Sequence, residues 1–320
     1  MIVCAAASPS IDKLFVVERL EVGVVHRPRE FLQLPGGKAI NVARAAIALG
    51  GETEVVGLTG GHAGRWVAEE AEAEGIPGRF VRCDAETRAS LSVLDLERGR
   101  LTEFYEAGGP VKPAEWEEFS AALVSVPGAG DWLAIAGSLP RDAPTDGYRE
   151  LVAQAQALGA RAAIDARGPA LAAALEAAPE VVKVNAAEAA ETLRTAVVGL
   201  DAALAAASTL RTRASHDDGV AIVTHGEAGA ALALPDGSLR TGRLGTRGPF
   251  AVGSGDAFLA GLLIGRDRHG SWEEAFALAL AAGAANTERP GPGRLDPGRA
   301  EALRDEVDLR RAAAAVRTDR

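Results

Sequence analysis

Short apolar runs recur along the chain, and most are followed by longer stretches in which alanine, leucine and charged residues repeat with a helical period. Residues 2–6, 54–58, 132–136, 162–165, 181–184 and 220–224 form runs too short for helices. They are almost continuously apolar, as strands buried on both faces are. Amphipathic segments at 64–74, 146–158, 187–195 and 200–211 read as helices, with Gly75 and Gly159 placed to stop the first two. Strand and helix alternating in this way predict a parallel sheet covered by helices on both faces.

Two segments break the pattern. Residues 13–17 and 30–34 read as strands with no helix between them, as do 89–96 and 101–105 around the turn Glu97-Arg98-Gly99-Arg100. Together they predict one small sheet built from two excursions out of the main body. The expected division is a core of 1–11, 36–85 and 110–309, and a small sheet of 12–35 and 86–109. The tail 310–320 has little apolar content beyond alanine and is expected to fray.

Composition narrows the functional classes. A chain of 320 residues buries a substantial core, and its formal net charge of −10, without a lysine-rich run, argues against nucleic acid and anionic membrane as partners. Cys4 and Cys83 make neither a disulfide framework nor a metal-ligand spacing. The opening residues enter a strand directly, without a charged leader, and no uncharged stretch reaches spanning length, so a cytoplasmic protein is expected. Only four residues are lysine: Lys13, Lys38, Lys112 and Lys183.

The candidate chemistry concentrates in Ala251-Val-Gly-Ser-Gly-Asp-Ala-Phe-Leu-Ala-Gly-Leu-Leu263. Gly253, Ser254 and Gly255 lead through Asp256 into a helical pattern, so their backbone N–H groups gather at a helix N-terminus, where an anion is favoured. A carboxylate beside such a hole suits a base acting on a hydroxyl while a phosphoryl group arrives. An Asp cap after a glycine turn fits the same letters. A second stretch, Leu34-Pro-Gly-Gly-Lys-Ala-Ile-Asn-Val-Ala-Arg-Ala-Ala-Ile-Ala-Leu-Gly50, opens a helix at a Gly-Gly turn, with Ile40, Ala43 and Ile47 on one face and Asn41 in the first turn.

Together the two stretches resemble the paired signatures of the PfkB (ribokinase-like) carbohydrate kinases. Ala7-Ser-Pro-Ser-Ile-Asp12, Thr87-Arg88, Ala136-Gly-Ser-Leu-Pro140, Lys183-Val-Asn-Ala-Ala-Glu188 and Thr224-His-Gly-Glu-Ala-Gly229 fall in that family's order, to about residue 307. Lys38 and the Pro-Ser-Ile-Asp opening look most like the 1-phosphofructokinase and tagatose-6-phosphate kinase branch. The resemblance implies a three-layer αβα fold with a mostly parallel central sheet, the small sheet serving as a lid over the sugar site.

It also implies roles. Asp256 is the base, and Gly253, Ser254 and Gly255 are the anion hole. Asp12, Gly36, Gly37, Asn41 and Ser138 line the sugar site. Lys38 and Arg88 suit a phosphate already on the substrate, although a lysine at a helix start is also an ordinary solvated residue. On the nucleotide side Lys183, Asn185, Thr224, Gly226, Gly229 and Asn286 bind ATP, with Asn286 beside adenine. Asn185 and Glu188 hold Mg²⁺ through water, a spacing that equally makes a capping box.

Departures from the pattern are Ala39 for Gly, Ser254 for Ala, Val184 for Pro, Ser90 for Asn, Arg167 for Ser, and Phe250-Ala251 for an Asp-Thr pair that helps hold a monovalent cation in relatives. The sequence lacks G-x-x-x-x-G-K-[ST], so a P-loop kinase is excluded. The expected activity is ATP-dependent phosphorylation of a sugar phosphate, with a homodimer contact through the lid. Alternatives are a cyclitol phosphate, an unphosphorylated sugar or a nucleoside as acceptor, or a sugar-phosphate sensor without turnover.

Overall fold

The computed structural model describes residues 1–245 and 248–312. Its central sheet has ten strands in the order β14-β13-β12-β11-β10-β9-β8-β1-β4-β5. The six runs expected as strands are β1 (Ile2–Ala6), β4 (Thr53–Gly60), β8 (Trp132–Ala136), β9 (Arg161–Asp165), β10 (Val181–Asn185) and β11 (Val220–Thr224). These pair in parallel, as does β5 (Gly78–Cys83) with β4. β12 (Ala230–Ala233), β13 (Leu239–Arg243) and β14 (Asp308–Ala312) extend one edge in antiparallel fashion. Arg310 to Ala312, expected to fray, are therefore strand. Their backbone pairs with β13 from Leu239 to Thr241, and a hydrogen-bonded edge needs little apolar content. Residues 313–320 lie outside the described residues.

Side-chain alternation divides the strands between two cores. Ile2, Cys4 and Ala6 join the core under α1 (Lys38–Ala48), α8 (Ser254–His269), α9 (Trp272–Thr287) and α10 (Pro297–Arg304). Val3, Ala5 and Ala7 join the opposite core, under α3 (Pro113–Val124), α4 (Gly147–Ala157), α5 (Gly168–Leu175) and α7 (Gly199–Ala214). α2 (Gly61–Ala73) adds Val67 and Ala71 to the first core, and α6 (Ala186–Leu193) adds Ala189 to the second. Gly75 and Gly159 take φ of +75° and +82° just past α2 and α4, the stop expected of them.

One helix differs from its sequence reading. α1 is buried on nearly every side, Asn41 and Arg44 included, and Ile47, assigned to its apolar face, is only half-buried. The helix lies between the sheet, α8 and the strand that precedes it, so its middle turns are closed to solvent and only its ends are partly exposed.

The small sheet is present as expected, in the order β3-β2-β6-β7: β2 (Ser10–Val17), β3 (Glu30–Gly36), β6 (Arg88–Asp95) and β7 (Arg100–Tyr105). Its two hairpin pairs are antiparallel, and β2 joins β6 in parallel. Ser10 lies opposite both Gly36 and Arg88, so both excursions begin at one point above the C-terminal end of β1.

Candidate active site

Parallel strands discharge their loops at one edge, where ligands of α/β proteins bind. Here Asp165, Asn185 and Thr224 end β9, β10 and β11, and Gly137 and Ser138 follow β8. The N-termini of α1 and α8 open onto the same edge. Gly37 caps α1 with φ of +92°, a conformation that glycine tolerates, and Gly253 caps α8 with φ of +79°.

Asp256 sits in the first turn of α8 and is 6% exposed. Asn41 of α1 donates from Nδ2 to its Oδ2 at 2.9 Å. Burial, opposed by the charges of Lys38 and Lys183 and reinforced by Asp165, pushes the Asp256 carboxyl up to about 7. A carboxylate with its pKa near neutrality is suited to take a proton at physiological pH. In the loop before it, the Ser254 and Asp256 N–H groups close short turns onto the carbonyls of Ala251 and Gly253, at 3.2 and 3.1 Å. A Cβ on Gly255 would fall 2.9 Å from Lys183 Nζ, so the ammonium lies directly against the loop.

A cluster of opposite charges floors the site. Asp165, fully buried, accepts from Lys183 at 2.5 Å and from Lys38 at 2.8 Å. Burial works against its charge, yet the two lysines hold its carboxyl below the usual range. Lys38 also donates to Glu188 Oε1 at 2.7 Å. Burial works against the Lys38 charge, but Asp165, Glu188 and Asp256 together raise its pKa. An ammonium has three donors, and two are engaged. The Asn185–Glu188 pair makes the reciprocal capping box that its spacing allowed, each residue's backbone N–H donating to the other's side chain at 2.9 Å.

On the other wall, Asp12 accepts from the hydroxyls of Ser10 and Ser90, at 2.6 and 2.7 Å, and from the Gly37 N–H at 3.2 Å. Gly36 faces the Asp12 carboxylate so closely that a methyl group would collide with it. Ser90, a departure from the family pattern, thus helps hold the acid. Arg88 reaches Ser8, its Nε to Oγ at 3.3 Å and its Nη2 to the carbonyl at 3.4 Å. The small sheet brings Asp12 and Arg88 to the edge that bears Asp256.

Four expected residues stand outside the hydrogen bonds of Asp165 and Asp12. Ser138 is exposed in its turn. Gly226 and Gly229, with φ of +53° and +108°, shape the short 3₁₀ turn (Gly226–Ala228) after Thr224. Asn286, expected beside adenine, is fully buried. Its Nδ2 donates to the Val252 carbonyl and its Oδ1 accepts from the Gly293 N–H, both at 2.8 Å, so its amide braces the anion loop.

Sequence reasoning missed Asp165 and Arg44. Asp165 was legible as the one acid ending an apolar strand at the ligand edge. Arg44 had no such signal, since mid-helix arginines are usually solvated.

Among known proteins, a model of the pfkB family, described as pfkB family carbohydrate kinase, matches residues 2–297. A 1-phosphofructokinase of Rhodobacter capsulatus is 31% identical over 92% of this chain and 94% of its own. A tagatose-6-phosphate kinase of Staphylococcus epidermidis is 26% identical over 97% and 99%. Among solved structures, phosphofructokinase-2 of Escherichia coli in complex with potassium superposes with a TM-score of 0.86 at 24% identity, covering 95% of this chain and 98% of that one. A family model that spans nearly the whole chain, and includes the helix turn carrying Asp256, places this protein in the pfkB family of carbohydrate kinases.

Proposed function

We propose that the chain transfers the γ-phosphoryl group of ATP to a hydroxyl of a sugar that already carries a phosphate. The observation that carries this reading is the buried Asp256, raised to about 7, in the first turn of a helix whose N-terminal loop is backed by Lys183. Asp256 accepts the hydroxyl proton as the new O–P bond forms and the bond from the γ-phosphorus to the bridging oxygen breaks, releasing ADP. The N–H groups of Gly253 and Gly255, which the turns at Ser254 and Asp256 leave unengaged, and the Lys183 ammonium stabilise charge on the transferring oxygens. Asp12 receives hydrogen bonds from sugar hydroxyls. The third donor of Lys38, with Arg88, meets the phosphate that the acceptor already bears. The relatives named for fructose 1-phosphate and tagatose 6-phosphate chemistry support this class of acceptor.

The residues at the nucleotide edge fit a hard cation held through water. Asn185 Oδ1 and the Glu188 carboxylate are oxygen ligands, each of these oxygens already accepts a hydrogen bond, and the described residues contain no group of three or more His, Cys, Asp or Glu able to cage a metal. When bound, Mg²⁺ neutralises charge on the nucleotide phosphates. Asp256→Asn tests the mechanism. Turnover should fall by about 10²–10⁴, the usual worth of a general base, with ATP binding retained. Near-normal kcat in that variant would remove Asp256 from the chemistry.

A further inference from the structure

Arg44 is a nearly buried cation in the middle of α1, its side chain 9% exposed, and the phosphoryl transfer described above gives it no task. It donates to four acceptors. Nη1 reaches Asn41 Oδ1 and the Pro292 carbonyl, both at 3.0 Å, Nη2 the Pro35 carbonyl at 2.5 Å, and Nε Glu74 Oε2 at 2.7 Å. These acceptors lie on α1 itself, the turn behind the anion loop, the end of β3 and the C-cap of α2. Pro292 abuts Gly253, since a Cβ there would lie 2.5 Å from Pro292 Cα. One guanidinium thus joins the sugar-side turn to the wall of the anion hole.

The decisive contact is the one with Asn41. A guanidinium donates and never accepts, and a side-chain amide has one oxygen end and one NH₂ end. With Arg44 on Oδ1, the NH₂ end must face Asp256. The reversed amide would set donor against donor at Arg44 and oxygen against oxygen at Asp256. We propose that Arg44 is a positioning residue for phosphoryl transfer: by holding the Asn41 oxygen it keeps the Asn41 NH₂ on Asp256, aiming the carboxylate and stabilising its ionised form. This rests on the reading of Asp256 as the base.

The groups that set the ionisation of Asp256 are few. Lys38 from α1 and Lys183 from β10 favour its charge, Asp165 from β9 and its burial oppose it, and the Asn41 hydrogen bond favours it. Tyr105 from β7 also lies within reach of its charge. Losing the Asn41 hydrogen bond removes support for the carboxylate, so the pKa must rise. Because the base works deprotonated, the acid limb of kcat/KM against pH, expected near 7, then moves to higher pH.

The test is that profile in Arg44→Met, Asn41→Ala and the double variant. Arg44→Met should move the acid limb up by roughly half a unit or more, depressing activity about threefold or more at pH 6 relative to pH 9. Asn41→Ala should move it likewise, and the double variant no further, because the two act in series. If Arg44→Met does not fold, Arg44→Ala, which likewise leaves no donor for Asn41 Oδ1, is read in its place. An unmoved limb in a folded Arg44 variant, or shifts that add in the double variant, overturns the proposal. Active Asp256→Asn would instead defeat the reading of the base, so the two failures are distinct.

Discussion

At the residue scale, the site turns on how few cations serve how many acids. Lys38 and Lys183 share Asp165, which is fully buried, and Lys38 also holds Glu188. Lys38 is one-third exposed, so its free donor faces the cleft while its other two are anchored. That arrangement sets Lys38 apart from a solvated helix-start lysine, and we propose that its remaining donor meets the acceptor's phosphate. Charge-assisted hydrogen bonds contribute about 1.5–3 kcal/mol each. Lys38→Met should therefore raise KM for a sugar phosphate about 10-fold or more, with a smaller effect on ATP. The comparison is run with fructose 1-phosphate, fructose 6-phosphate and tagatose 6-phosphate beside their unphosphorylated parents. A wild-type preference for a neutral sugar would end the phosphosugar assignment and leave the kinase intact. Lys38 was legible as a candidate from its place in the Gly-Gly turn. Its two carboxylate partners lie 127 and 150 residues away, beyond any local signal.

At the element scale, contacts from other elements hold the loop before α8. Phe250 packs against the apolar cluster of the small sheet, with Leu14, Val16 and Leu94, and its N–H donates to the Thr287 carbonyl at 3.1 Å. Asn286 fastens Val252 from beneath. An apolar side chain and Ala251 replace the acid and hydroxyl of the family pattern, so positions 250 and 251 offer no side-chain oxygen to a monovalent ion. Exchanging Na⁺ for K⁺ at constant ionic strength should accordingly leave steady-state turnover nearly unchanged, and marked potassium activation would refute this account. The departure at 250–251 was visible as a substitution. Its partner was not, because the contact joins this loop to strands of the small sheet that are far from it in the chain.

At the scale of the whole molecule, the small sheet buries one face and exposes the other. Leu14 and Val16 point to the inner cluster. Strand register puts Phe31 opposite Phe15, and Phe104 opposite Leu91, on the outer side, where Phe31 and Phe104 are 58% and 57% exposed. We propose that a second copy of the chain covers this face. Aromatic rings on an open sheet are costly to leave in water, and the small sheet has only four strands with which to bury them. Sedimentation velocity should show a dimer at micromolar concentration and a monomer for the Phe31→Glu, Phe104→Glu double variant. A monomeric wild type would refute the dimer. No helix among the described residues is long and apolar enough to cross a membrane.

The sequence by itself determined what local physics can write. Apolar runs at strand length, helical periods between them and glycines where φ must be positive predicted the six parallel strands, the small sheet and both helix N-termini of the site. Residues such as Gly37, Gly253 and Asp256 announce themselves because backbone geometry and an anion-binding turn demand particular side chains at adjacent positions. Tertiary structure alone decided the electrostatics. Whether Asp256 is an ordinary carboxylate or one raised to about 7 depends on burial beneath α1 and on Asp165, Lys38 and Lys183, which three other elements bring to it. The same is true of Arg44, Asn286 and the end of the chain. A mid-helix arginine, a helix asparagine and a polar strand carry no pattern of their own, since what makes each matter is a partner that only folding supplies.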